Sequence, residues 1–498
     1  MMRARMASAA DQTASDFDRL DERSIGLPQL VFQSLTNMAP AAAISIGLLV
    51  VIPFSGPALP FFILVALAIA LCVASSMGQM AKQVPSAGGW YAYTARGLGP
   101  EAGFMVGWLY LLVIPAGMVL ILLSLAFVVQ DVMVSDRRGL GWEGSPWWLW
   151  VLLGAAFMLV LAYRGVRLAM NVGIVIGAIE LALFGALAVW IVLSNSGENT
   201  LRTFDPGFAL GDDFDFYLKG IVLAILVYAG FEAAAPLAEE ARDPRRTVPR
   251  AIVGTTLAIG LFVLFASYGM VVGFGFDEFA ETALASGNPW VELGDIFWGA
   301  GWILIFFAVV NSVLGLGNAV VNAASRVVYA LGRNGAIPEM FSRTHPVYRT
   351  PHVAIAAIVG VGTVATLLAG WRWDLLTGIG VAAIALTVIL MLIYIAVCAS
   401  TVVFYWRERR DEFSIWLHGV VPIAGIAGIA AVLYYQYRPL PPYPFRWANW
   451  YVLAAFGAGL LVLVWLARVR RAALLDAGRI FVESDQGEPD ARPATASS

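Results

Sequence analysis

Lysine is nearly missing from this sequence: only Lys82 and Lys219 occur, against 29 arginines. Neither follows a glycine, so a Gly-Lys-Ser/Thr phosphate loop is excluded. No Asp-Lys pair occurs, which removes the aspartyl-phosphate signature of ATP-driven pumps. Charge of either sign is scarce, at 13% of residues, where a soluble domain carries about 25%. With 60% hydrophobic residues, the chain can neither cover a water-facing surface nor remain disordered. A formal charge of −3 with scattered basic residues leaves no nucleic-acid footprint. Cysteine occurs twice, at Cys72 and Cys398, both inside apolar runs, giving neither a disulfide framework nor metal-ligand spacing. The histidines His345, His352 and His418 fall at the ends of apolar runs, so none is placed for a mid-membrane relay. No metal or cofactor motif is present, and no nucleophile–base pair sits at membrane depth, so an enzyme is not expected. What remains is an integral membrane protein.

Long apolar runs are what the chain has in abundance. A hydrocarbon core of about 30 Å needs about 20 apolar residues per helix. By that rule about twelve segments cross the bilayer, near residues 29–52, 57–80, 103–130, 147–163, 168–194, 216–238, 249–273, 299–331, 352–369, 375–404, 414–434 and 448–467. A backbone in lipid must bond to itself, and the short alternating strands of a barrel are absent, so these are helices. With the N-terminus in the cytoplasm, 24 of the 31 Lys and Arg fall on the cytoplasmic side and 7 on the other. That asymmetry predicts cytoplasmic N- and C-termini in the plasma (inner) membrane. Residues 1–27 hold no apolar core of a cleaved signal peptide and are expected to be a cytoplasmic segment. Residues 472–498 read as a disordered cytoplasmic tail.

Two segments carry candidate helix breaks. Segment one reads Asn37-Met38-Ala39-Pro40-Ala41-Ala42, and Pro40 removes a donor about halfway across. Segment six reads Tyr228-Ala229-Gly230-Phe231-Glu232-Ala233-Ala234-Ala235-Pro236, placing a glycine, a carboxylate and a proline within seven residues. Glu232 either serves a solute or bonds to N–H groups freed by a neighbouring break. Segment six stands five places after segment one, as an inverted repeat of five plus five would require. Glu180 is the other deep carboxylate, about 18 Å of helix beyond residue 168, and is the candidate proton carrier. Asn311, Ser312 and Asn318 in segment eight either line a pocket or join helices by hydrogen bonds. Of the three, Asn318 is the site candidate.

Three further stretches carry a resemblance. The first is Pro85-Ser86-Ala87-Gly88-Gly89-Trp90-Tyr91-Ala92-Tyr93, continuing through Leu98-Gly99-Pro100-Glu101-Ala102-Gly103-Phe104 to Gly107-Trp108. The second runs from Gly230-Phe231-Glu232 through Glu239-Glu240 to Asp243-Pro244-Arg245-Arg246-Thr247-Val248-Pro249-Arg250-Ala251. The third is Asn322-Ala323-Ala324-Ser325-Arg326-Val327-Val328-Tyr329-Ala330-Leu331 with Arg333-Asn334-Gly335-Ala336-Ile337-Pro338. In order and spacing they resemble the amino acid–polyamine–organocation superfamily, in its amino acid and polyamine permease branch. The resemblance spans roughly residues 28–410.

It implies an all-α, LeuT-like core of two inverted five-helix halves, 28–198 and 199–410, followed by two extra helices within 411–471. It also implies a secondary transporter that moves an amino acid or polyamine by alternating access. Coupling would be to protons or by exchange, with protons favoured over sodium, and no cofactor or metal is implied. The solute would lie between the breaks, on Met38, Ala39, Pro40, Ala41 and Ala42 and on Tyr228, Ala229, Gly230 and Phe231, with Glu232 close by. Segments three, eight and ten would close the pocket. The chain departs from the family where many members have Gly-Ser-Gly, since Pro40, Ala41 and Ala42 stand there. It also lacks the lysine that some members carry in segment five, where Ala178 aligns. A channel with this fold would want a continuous polar path, and a non-transporting sensor or partner protein is separated from a transporter only by flux.

Overall fold

The computed structural model describes residues 26–469, apart from 87, 136–137, 140, 165–166, 212, 334–337 and 349. The expected terminal segments 1–27 and 472–498 therefore lie, but for Gly26 and Leu27, outside the described residues. Among the described residues, ten helical runs are long and apolar enough to cross a bilayer, and the bent pair Phe214–Leu226 with Phe231–Ala238 makes an eleventh span. The first run, Leu27–Gln83, has 57 residues, which as an unbroken helix would reach about 85 Å against a core of about 30 Å. It turns at Gly56, whose φ of +49 suits a residue without Cβ. That run holds two crossings, which brings the total to the twelve expected.

Segment one comprises Leu27–Met38, Pro40–Ala42, Ala43–Gly47 and Leu48–Ser55, and segment two is Leu59–Gln83. Segments three, four and five are Pro100–Val134, Trp147–Arg164 and Arg167–Ser194. Segment six is Phe214–Leu226 with Phe231–Glu240, and segment seven is Pro244–Phe274. Segments eight, nine and ten are Trp302–Arg333, His352–Arg372 and Leu375–Glu408, and segments eleven and twelve are Val421–Tyr437 and Arg446–Val469. The stretch between segments seven and eight holds two short helices, Phe279–Ala285 and Pro289–Trp298.

Hydrophobic residues on every face of a helix call for burial on every face. Segment ten meets that condition: 83% of its most apolar stretch is buried, whereas segment twelve reaches only 17% and faces lipid. Asp374 starts segment ten by accepting from the Thr377 N–H at 2.9 Å, which satisfies one of the unpaired donors of the first turn. Segment ten packs against segments two and three and against the first half of segment six. Segments two and seven lie along each other, and segment three also meets segments eight and nine. The broken segments one and six are thus enclosed by unbroken helices.

Candidate functional site

The break in segment one falls one residue before its proline. The first half-helix ends at Met38, and Ala39 adopts a left-handed conformation with φ 44 and ψ 65. For a residue with a Cβ this costs about 1–2 kcal/mol. Pro40 then opens the second half-helix, where its fixed φ and missing N–H suit the first position. Its effect is to start a helix; the break itself falls on the alanine before it. A π-helical turn, Ala43–Gly47, follows directly.

In segment six the α-helix ends at Leu226, and Val227, Tyr228 and Ala229 donate to carbonyls three residues back. Gly230, at φ +114, then turns the chain into a tighter helix, Phe231–Glu240, at 44° to the first half. Pro236 lies inside that second half and does not make the break. The two breaks touch each other. A Cβ on Gly230 would stand 2.6 Å from the carbonyl carbon and oxygen of Asn37 and 2.7 Å from the nitrogen of Met38. Ser34 donates its hydroxyl to the Phe231 carbonyl at 2.9 Å, and a Cβ on Gly47 would meet Val227 at 3.2 Å. Met38, Ala39, Pro40, Ala41, Ala42, Tyr228, Ala229, Gly230 and Phe231 are therefore gathered around one contact between half-helices.

Glu232 stands at the start of the second half-helix of segment six. Its Oε2 accepts from the Gly230 N–H at 3.0 Å, so it bonds a donor freed by its own break. That position favours a carboxylate, because the N-terminal end of a helix carries partial positive charge. Around it gather aromatic rings from three other elements. Tyr110 of segment three and Tyr394 of segment ten both lie within electrostatic reach of the Glu232 carboxylate. Trp90 stacks edge-on against both, with centroids 5.3 Å and 6.2 Å away, and Phe231 lies 5.6 Å from Tyr394. Among the described residues the buried Tyr394 hydroxyl has no hydrogen-bond partner, and neither do the hydroxyls of Thr36 and Ser45 flanking the first break. A carboxylate beside a cluster of aromatic rings can hold an ammonium group by charge, with cation–π attraction from a ring whose face it meets.

The remaining candidates sit apart from that ring. The Tyr228 hydroxyl is engaged elsewhere, donating to the Ile63 carbonyl of segment two at 3.0 Å. Glu180, only 4% exposed, accepts from the Asn311 amide at 2.5 Å, which ties segment five to segment eight. Both of those segments pack against Pro40–Ala42, so the pair lies beside the first break. Asn318 stands two turns further along segment eight; its buried Oδ1 has no partner among the described residues, and its carbonyl accepts from Asn322 at 2.9 Å. Sequence reasoning missed Tyr110 and Tyr394 as neighbours of Glu232, since each is a single aromatic residue in an apolar run. Trp90 lay within a recognised motif but carried no sign of where its ring would go.

Known proteins resemble this chain along most of its length. Residues 25–465 match the family described as amino acid permease. The low-affinity putrescine importer PlaP of Escherichia coli (strain K12) is 28% identical over 354 residues, covering 70% of this chain and 74% of that one. An uncharacterized transporter of Mycobacterium tuberculosis is 27% identical over 434 residues, with 83% and 88% covered. A probable GABA permease of Pseudomonas aeruginosa is 24% identical over 437 residues, with 82% and 86% covered. The family match runs through both touching breaks and all but the last turn of segment twelve, and the chain belongs to the amino acid permease family of membrane transporters.

Proposed function

We propose that the protein is a secondary active transporter for a small primary amine or amino acid, working by alternating access at the paired breaks. The observation that carries this reading is Glu232 at the meeting point of the breaks, bonded to Gly230 and within electrostatic reach of Tyr110 and Tyr394, which pack with Trp90 and Phe231 into one aromatic cluster. The ammonium group of the solute binds at Glu232 and the rings. A carboxylate, where the solute has one, binds the open N–H end of the half-helix that starts at Pro40. Two relatives support an amine: one is named for putrescine and the other for GABA, and both solutes are four-carbon primary amines.

Residues 28–198 and 199–410 form two equivalent inverted halves in this reading, with 411–471 appended. Both termini face the cytoplasm across the plasma membrane, as the Lys and Arg distribution supports. Protons couple transport through Glu180, whose partner Asn311 lies across the face against which Pro40–Ala42 pack. Uptake of labelled putrescine, GABA and amino acids into proteoliposomes tests the proposal, with Glu232→Gln as the decisive variant. The amide of that variant keeps an acceptor for the Gly230 N–H and removes only the charge. Uptake falls at least about 100-fold, the loss of roughly 3 kcal/mol expected when a charged partner is removed from a desolvated pair. Full activity of a correctly inserted variant overturns the site.

A further inference from the structure

A groove of about 370 Å³ lies between segments two and seven, away from the breaks, lined by Ser75, Gly78, Gln79, Lys82, Pro249 and Arg250 and continuing along Val253 and Gly254. Its shape follows from two glycines. At Gly78 the helices close up, since a Cβ there would meet Val253 at 3.4 Å and Pro249 at 3.6 Å. At Gly254 a Cβ would meet nothing within 4 Å, so the helix surfaces part. Lys82 lies in the last turn of segment two and Arg250 in the second turn of segment seven, both exposed. Among the described residues neither has a carboxylate within ion-pair distance. Lys82 donates only to Gln79, at 3.1 Å. By contrast Arg96 pairs with Glu408, Arg138 with Glu292 and Arg409 with Glu412.

We propose that this groove binds an anionic phospholipid, its headgroup phosphate between Lys82 and Arg250 and one acyl chain along Val253 and Gly254. Two unpaired cations at one end of a cleft with an apolar floor match an amphiphile with a negative head. Basic pockets between membrane helices at the bilayer surface recognise acidic headgroups in this way. The long side chains of Lys82 and Arg250 can lie along the groove wall and present their charges at headgroup level. A free phosphate ion would have no use for the apolar floor. Segment seven begins four residues after segment six ends, so the headgroup sits close to the end of the broken segment. The site stands independently of which solute is carried.

The test uses the full chain purified in neutral detergent and titrated with phosphatidylglycerol or phosphatidylcholine while thermal unfolding is followed. Phosphatidylglycerol raises Tm saturably and phosphatidylcholine does not. The double variant Lys82→Gln, Arg250→Gln weakens the apparent affinity for phosphatidylglycerol by about 30-fold. Arg343→Gln, at an exposed arginine outside the groove that has no ion pair among the described residues, keeps the wild-type affinity. Equal shifts from both lipids overturn the proposal, as does wild-type affinity in the double variant. Equal protection by inorganic phosphate also overturns it and assigns the cations to a free anion. Should the double variant fail to fold, a photoactivatable phosphatidylglycerol applied to the wild type decides the matter. Labels on residues 75–82 and 249–254 support the site, and labels confined elsewhere overturn it.

Discussion

Gly230→Ala probes the contact on which the transport reading depends. The new methyl would stand 2.6 Å from the Asn37 carbonyl carbon and oxygen and 2.7 Å from the Met38 nitrogen. Non-bonded heavy atoms settle at about 3.5–4.0 Å, so the two backbones must separate by about 1 Å. These are backbone atoms within a break, and no side-chain rotation relieves the overlap. A φ of +114 adds strain of about 1–3 kcal/mol for a residue with a Cβ. Separation also stretches the Ser34–Phe231 hydrogen bond beyond its present 2.9 Å, forfeiting about 0.5–1.5 kcal/mol. Together these give about 2–4 kcal/mol, or about a 30- to 1,000-fold loss of the state in which the breaks meet. Proteoliposome uptake measures the loss, and thermal unfolding reports whether the fold survives. Gly360→Ala is the comparison, since a Cβ there meets nothing within 4 Å, and it leaves uptake unchanged. If Gly230→Ala transports at the wild-type rate with an unchanged Tm, the contact is not part of the mechanism.

Three other perturbations separate solute contacts from scaffolding. Glu180→Gln abolishes substrate-driven proton entry into vesicles, read with a trapped pH dye, while binding of the solute persists; unchanged proton entry removes Glu180 from coupling. Tyr394→Phe deletes a buried hydroxyl that has no partner, so Tm holds or rises slightly while solute affinity drops about fivefold, the value of one hydrogen bond. A lowered Tm with intact affinity would make that hydroxyl structural. Arg138→Gln strips the shared partner from Glu292 and Asp295, in a cluster where the arginine side chain is only 10% exposed. Losing the guanidinium from this largely buried cluster costs about 3–5 kcal/mol in thermal unfolding, whereas Arg409→Gln, in a pair about half exposed, costs less than about 1 kcal/mol.

The spans were legible because lipid imposes a single requirement, a continuous apolar helix, and hydropathy reads it directly. The breaks were legible in their neighbourhood but not in their exact position. Proline in segment one marks where a helix can start, so the break itself fell to Ala39, whose strain no single-sequence propensity reveals. In segment six Gly230 was visible as a permissive residue, while Pro236 drew attention to a stretch that remains helical. The aromatic ring around Glu232 could not be read. Trp90, Tyr110 and Tyr394 come from three separate elements, and only the packing of the bundle brings them to one carboxylate. Glu180 and Asn311 were each conspicuous as polar residues in lipid, but their pairing across 131 positions is a product of the fold.

The clasp between Ser34 and Phe231 joins the first half of one interrupted rod to the second half of the other. With Gly230 lodged against Asn37, neither discontinuity can pivot without dragging its counterpart along. Under the transport mechanism proposed above, a solute settling there is sensed by both rods in a single event, so opening on one face and sealing on the opposite face become one motion.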